Sequence, residues 1–402
     1  MAAIISKHDF IVCVSQERFK VYQKGRKEPV FHCSVNSSSD NSTEDKKPNK
    51  DSSDDNGSGR ILAYGFSRSG QYFALCNDCK QLKIWNTQTD WNLHSERSVA
   101  KRCTALVFTN KEDSILVADK AGDVYNFSVT EPEKPGELVL GHLSMLLDLA
   151  VSRDDKLIIT ADRDEKIRVS LNPNGYNIQT YCLGHSEFVS RLTILPWKEN
   201  ILLSGSGDGT VRAWDYNQGQ LLQTYHLDKD DKDQLMAVSC ISCSEKHNLV
   251  AVMAEGVSAV WVLQVQEISD KMDISLVCKL KTEIPPGHAH FHEDSLLILQ
   301  ADSDQKVMSY HCCSNNGKLS VTPQDQAGIQ DDLLQHIKQD VDFFKDGVKT
   351  EPFYAHLHKK SFDNIQDYLS RKRQRIEEKS AKQKLQESKT TATAKRQKTD
   401  DL

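Results

Sequence analysis

A dipeptide returns at a fixed interval in this chain. Gly141-His142 and Gly184-His185 lie 43 residues apart, and each opens the same succession of apolar run, charged turn and second apolar run. The later unit passes through Ile201–Ser204 and Gly207-Asp208-Gly209 to Thr210-Val211-Arg212-Ala213-Trp214-Asp215. The earlier one passes through Leu157–Thr160 and Arg163-Asp164-Glu165 to Lys166-Ile167-Arg168-Val169-Ser170. Less regular copies end their third strand at Tyr22, Trp85, Phe127, Trp261 and Tyr310. With Ser170 and Trp214 these points mark seven units, spaced by 63, 42, 43, 44, 47 and 49 residues. A unit of this size cannot bury its apolar faces alone, so neighbouring copies must stack.

Short apolar runs punctuated by turn residues imply strands. An isolated four-stranded blade leaves both faces wet and an edge unpaired, whereas seven blades around a channel bury those faces and protect the edges. The period and the Gly-His to Trp-Asp signature are those of WD repeats. The expected fold is therefore all-β, a seven-bladed WD-repeat β-propeller. The apolar segment Ala2–Ser6 is expected to join the last blade and close the ring. Residues 1–35 are read as the first blade and 61–323 as the remaining blades. Residues 36–60 carry only small, polar and charged side chains apart from one proline. Such a stretch cannot bury enough surface to offset its ordering entropy and reads as a disordered insertion. Residues 324–358 read as irregular, and 359–402 as a basic tail, helical and then disordered.

A net charge of -6 argues against bulk electrostatic binding of nucleic acid, so any such contact needs a local basic segment. Residues 359–398 supply one, with thirteen Lys and Arg against five Asp and Glu. No run approaches the ~18 apolar residues of a membrane span. Eleven cysteines without a secretory leader read as reduced thiols of the nucleus or cytosol.

Three features invite chemistry. Gly205, Gly207 and Gly209 alternate, but the following Val211, Ala213 and Trp214 have strand spacing, whereas a phosphate loop needs a helix next. Cys76-x-x-Cys79 and Cys240-x-x-Cys243 could be half-sites for zinc, yet the second pair sits in a strand, where an offset of three points side chains to opposite faces. His288, His290 and His292 share one strand face and read as a solvent-facing blade edge. No nucleophile elbow or dinucleotide loop is present. The chain is read as non-enzymatic, with no cofactor and no metal of its own.

Other residues point to structure and binding. His185, Ser204, Asp208 and Trp214 can form one hydrogen-bonded chain, a set that WD repeats use structurally. The preceding unit supplies His142, Thr160 and Asp164 but ends in Ser170. The units ending at Trp85 and Phe127 lack both the His and the turn Asp, so apolar packing is expected to hold them. Around Asp164, the charges of Arg163, Glu165, Lys166 and Arg168 suggest a patch for a protein partner, against the plainer reading of a solvated turn. Phe362, Ile365, Tyr368 and Leu369 recur at helical spacing before Arg371, Lys372, Arg373 and Arg375. A helix docked by that stripe would extend as a basic rod suited to phosphate. The plainer readings are a disordered tail or an import signal, for which Lys395–Lys398 also qualifies.

Several stretches together resemble one family. They include Arg102–Leu106, Leu140–Asp148, Thr160–Ser170, Gly184–Arg191 and Ser361–Asn364. The resemblance is to the WD-repeat, non-catalytic subunits of tRNA (guanine-N7)-methyltransferase. It implies a heterodimer in which a separate catalytic subunit holds S-adenosylmethionine and methylates guanine N7 in the tRNA variable loop. The propeller would dock sideways, stabilise the active arrangement and help hold tRNA. The resemblance places Arg163, Glu165, Lys166 and Arg168 at the enzyme-facing patch. It makes Lys359, Lys360, Arg371, Lys372, Arg373 and Arg375 contacts to tRNA or the partner. Location in the nucleus is expected, with the cytoplasm open. The competing reading is a general WD-repeat adaptor, such as a ubiquitin-ligase substrate receptor, because a propeller by itself does not choose a function.

Overall fold

The computed structural model describes residues 2–35, 57–228, 235–269, 271–300, 307–315, 318–324, 332–344, 352–359, 365 and 368–377. The insertion expected at 36–60 falls mostly outside the described residues, as do Lys360, Phe362 and everything after 377. The chain divides into two units, 1–358 and 359–402.

In the first unit the described residues form seven four-stranded antiparallel sheets, each made of consecutive strands. They span 2–34, 61–98, 103–141, 146–182, 189–226, 238–281 and 288–323, and are numbered here as blades 1 to 7. The first strands of successive blades contact one another and so surround the axis of the ring. Second strands are sandwiched between neighbouring blades on both faces. Their sequences are accordingly almost continuous apolar runs: Leu157–Asp162 and Leu249–Ala254 are buried at every position. Fourth strands lie outermost and are the most exposed, as in Ile178–Cys182, where only Cys182 is buried. The repeat points Tyr22, Trp85, Phe127, Ser170, Trp214, Trp261 and Tyr310 all fall in third strands. In blades 6 and 7 those strands run on well past Trp261 and Tyr310.

Ring closure differs from the expectation. Ala2–Lys7 does not join blade 7; it pairs with Phe10–Ser15 as the innermost strand of blade 1. Blade 7 fills its own four places with His288–His292, Ser295–Leu299, Val307–Asn315 and Lys318–Pro323, leaving no vacancy for it. First and last blades therefore meet face to face, without sharing a strand. Ala2, Ile4, Ile11, Cys13 and Tyr22 pack against Leu297, Leu299 and Val307.

The segment after the last blade completes this seam. Helix α1 (Asp332–Gln339) and the 3-10 turn Val341–Phe344 place Leu334, Ile337, Phe343 and Phe344 in the same apolar cluster. The carboxylate of Asp340 accepts from the Tyr22 hydroxyl and the Lys20 ammonium of blade 1. Part of 324–358, read as irregular, is thus an ordered clasp.

The three histidines also sit elsewhere than expected. His288–His292 is the innermost strand of blade 7 rather than a solvent-facing edge. His290 Nε2 accepts the Ser6 backbone N–H of blade 1 at 2.9 Å, adding a polar tie across the seam. Burial holds His290 down at about 3 and His288 at about 4, so both rings are neutral.

Candidate partner-binding surface

Blade 5 sets the standard against which the charged turn is judged. Trp214 Nε1 donates to Ser204 Oγ at 2.8 Å, and Ser204 Oγ lies 2.7 Å from His185 Nε2. His185 Nδ1 lies 2.9 Å from Asp208 Oδ2. Burial pushes His185 below its ordinary value, so the ring is neutral. A neutral ring makes the chain directional, with Trp214 donating to Ser204, Ser204 to His185 and His185 to Asp208. Burial alone would raise Asp208, but the hydrogen bonds it receives from His185, Thr210 and the Ser186 N–H together outweigh that and hold the carboxyl well below the usual range. The next residue, Gly209, takes a left-handed φ of 75° to turn the hairpin.

Blade 4 solves the same problem with different residues. His142 Nε2 meets Thr160 Oγ1 at 2.8 Å, but His142 Nδ1 meets Asp162 Oδ2 at 3.3 Å, and not the expected Asp164. Asp162 also accepts the Lys166 N–H at 3.0 Å, closing the turn from beneath. Asp164 is exposed, with Arg163 Nε 3.5 Å away. The position of Trp214 is held by Ser170, to which Arg168 of the same strand is hydrogen-bonded. Its Nε donates to Ser170 Oγ at 2.8 Å, Nη1 to Gly141 O at 2.9 Å and Nη2 to Gly175 O at 2.8 Å.

Arg168 therefore does not belong to the exposed patch. It is 8% exposed, and burial pushes its guanidinium below the ordinary value. Strand alternation puts it on the face of Lys166, which is right for direction but says nothing about depth, and the neighbouring outer strand covers it. The exposed set is Arg163, Asp164 and Lys166, with Glu165 half-buried between them. Glu165 adopts φ 71° where blade 5 has Gly209, a conformation costing a non-glycine residue about 1 kcal/mol. Four consecutive charged residues thus cross a turn whose structural carboxylate lies outside them.

The signal for Asp162 is present in the sequence. Asn77, Asp119 and Asp162 each stand eight places before Trp85, Phe127 and Ser170, at the end of a second strand. Asn77 Oδ1 accepts the Gln81 N–H at 2.9 Å, and Asp119 Oδ1 accepts from Ala121, Gly122 and Asp123 at 2.8–3.1 Å. Blades 2 and 3, expected to rely on apolar packing alone, use this side chain as a turn brace.

In the second unit Ile365 and residues 368–377 are helical, as the spacing predicts. Arg371, Lys372, Arg373 and Arg375 are exposed there. The apolar stripe is exposed as well: Ile365 is 71% and Tyr368 63% accessible. Lys359 is exposed, whereas Lys360 and the run 395–398 lie outside the described residues.

The remaining candidates have structural settings. All eleven cysteines are free thiols; Cys76 and Cys240 are buried, Cys243 is half-buried and Cys79 lies in an exposed turn. Among the described residues no three His, Cys, Asp or Glu side chains are grouped to hold a metal ion. A Cβ on Gly207 would stand 2.5 Å from the Phe188 ring, and one on Gly205 2.4 Å from Val238. These glycines make room for neighbouring side chains.

Comparison with known proteins bears on the family and the fold. Residues 15–137 and 127–322 match the family described as tRNA methyltransferase TRM82 WD40 domain. A Danio rerio protein named tRNA (guanine-N(7)-)-methyltransferase non-catalytic subunit wdr4 is 40% identical, covering 94% of this chain and 92% of its own length. The Homo sapiens protein of the same description is 39% identical over 79% of this chain and 77% of its own. Among solved structures, the β-propeller domain of Myceliophteria thermophila Cps50 (Swd1) superposes with a TM-score of 0.59 at 12% identity, covering 75% of this chain and 92% of that one, which speaks for the fold alone. With the repeat, the seven blades and these relatives in hand, the chain belongs to the WD-repeat, non-catalytic subunits of tRNA (guanine-N7)-methyltransferase.

Proposed function

We propose that this chain is the scaffold of a heterodimer, docking a separate catalytic subunit that holds S-adenosylmethionine. The pair forms N7-methylguanosine in the tRNA variable loop. The chain stabilises the active arrangement of its partner and helps hold the tRNA. The observation that carries this reading is the turn Arg163–Lys166. Asp162 has taken over the hairpin's structural work, leaving the turn's charges facing outward on a braced, non-glycine hairpin. Rigidly held charges of mixed sign suit a protein surface of complementary pattern. The exposed basic helix supports tRNA contact through Arg371, Lys372, Arg373 and Arg375, since phosphate binding needs clustered cations more than it needs net charge. The same cluster supports import into the nucleus.

The test is a titration of the catalytic subunit against the triple reversal Arg163→Glu, Glu165→Lys and Lys166→Glu. Breaking a desolvated charge pair costs about 2–5 kcal/mol, so assembly weakens by roughly thirtyfold or more while the propeller stays folded. Undiminished co-purification would remove this turn from the interface. Methylation by the lone chain would overturn the scaffold reading itself.

A further inference from the structure

Beyond the last blade, one aromatic side chain is buried in a segment that is otherwise largely exposed. Tyr354 is 4% accessible, whereas its neighbour Phe353 is 52% accessible and Pro352, Ala355 and His356 are exposed. The ring enters a cluster with Leu147, Phe188 and Ala237, against which Leu357 and Met145 also pack. Leu147 lies at the start of the innermost strand of blade 4, and Phe188 and Ala237 immediately precede those of blades 5 and 6. Tyr354 therefore sits at one mouth of the ring, beneath which the Arg191 guanidinium lies 5.9 Å from its centroid.

The receptor for this ring is built into the repeat. Phe188 stacks on Tyr354 with centroids 5.6 Å apart and planes 10° from parallel. Phe188 can occupy that position only because Gly207 lacks a side chain. One carboxylate receives the backbone: Glu255 of blade 6 accepts the Phe353 N–H at 2.6 Å and the Tyr354 N–H at 2.9 Å. His358, the last residue of the propeller unit, sets its ring 5.0 Å from Phe188 and Nδ1 3.9 Å from Glu187. A buried aromatic, a paired carboxylate clamp and an exposed remainder are the features by which grooves capture short peptides from other proteins.

We propose that Pro352–His358 is a ligand of the propeller mouth supplied in cis, an anchor that fixes where the basic tail begins. The cluster that seats Tyr354 reaches the charged turn of blade 4. Met145, which packs against the Tyr354 cluster, accepts the Arg163 N–H through its carbonyl at 2.9 Å. Anchoring shortens the tether from the fold to the first tail cation to one residue, raising the tail's effective concentration at the propeller. The mouth, occupied by the chain's own segment, is closed to peptides of other proteins. The tail's service to tRNA rests on the function proposed above; the docking does not.

The test uses the full chain in two steps. In hydrogen exchange the Phe353 and Tyr354 amides are protected, and Tyr354→Ala accelerates them roughly thirtyfold, the scale of losing one anchor aromatic. Tyr354→Phe retains the stacking ring and the protection, and serves as the folding control. Amides that exchange freely in the unaltered chain, or that ignore Tyr354→Ala, overturn the anchor. The second step measures tRNA affinity of the assembled heterodimer. Tyr354→Ala lowers it, and adds nothing once Arg371, Lys372, Arg373 and Arg375 are replaced by Gln. Full additivity of the two changes overturns delivery of the tail. Should the Gln replacements alone leave affinity unchanged, the tail's role in tRNA binding falls, and exchange decides the anchor by itself.

Discussion

Blades 4 and 5 are adjacent, share a Gly-His opening and have nearly equal length, yet they hold themselves together differently. Blade 5 runs a hydrogen-bond chain from Trp214 through Ser204 and His185 to Asp208. Blade 4 divides the task between His142, Thr160 and Asp162 on one side and Arg168 with Ser170 on the other. The consequence lies at the turn. In blade 5 the turn carboxylate is buried in the brace, and only small residues flank it. In blade 4 the brace has moved two residues back, and the turn is free to carry charge outward. A binding surface arises here from relocating a structural side chain, without changing the hairpin.

The sharpest way to break this comparison is to remove the largest side chain from each brace. Trp214→Ala leaves a cavity and takes from Ser204 the indole donor, and is expected to cost about 3–5 kcal/mol in urea unfolding. Arg168→Ala strands the carbonyls of Gly141 and Gly175 and is expected to cost about 2–3 kcal/mol. If Arg168→Ala is as stable as the unaltered chain but binds the catalytic subunit poorly, Arg168 belongs to the interface after all. A finer cut compares three aspartates. Asp208→Ala and Asp162→Ala each remove a buried acceptor, at about 1–3 kcal/mol, whereas Asp164→Ala stays within about 0.5 kcal/mol. Equal destabilisation at Asp162 and Asp164 would return Asp164 to the brace. The smallest effect is also the most diagnostic. Glu165→Gly relieves a left-handed backbone and should raise stability by up to about 1 kcal/mol while weakening partner binding. A thermal melt and a titration on the same sample read both signs.

The ring of seven is legible in the sequence because it follows from period alone, and period survives the loss of individual signature residues. Trp85, Phe127 and Ser170 mark equivalent places even though only one is a tryptophan. Local detail is less legible, because it depends on depth and on which of two close polar residues turns inward. Asp162 and Asp164 are two apart, both beside the same strand end, and nothing in their identity separates them. The repeated polar residue eight places before each third-strand landmark does separate them. Alternation assigns Arg168 outward, because it gives a side chain's face and not what covers it. The seam and the Tyr354 anchor lie beyond reach for another reason. They join parts of the chain far apart in sequence, as with Ser6 and His290, and no periodicity announces a single contact of that kind.

The meeting of the first and last blades has a mechanical consequence. Most joints in the ring have a neighbour on both sides along the chain, but this one joins the two ends, and no strand is sewn across it. Its resistance to prying rests on a patch of apolar side chains, a histidine tie and the short helix pressed over them. Shortening the protein just after Pro323 would leave every blade intact but strip away the helix, so that the apolar patch and the histidine tie alone would keep the hoop from springing open.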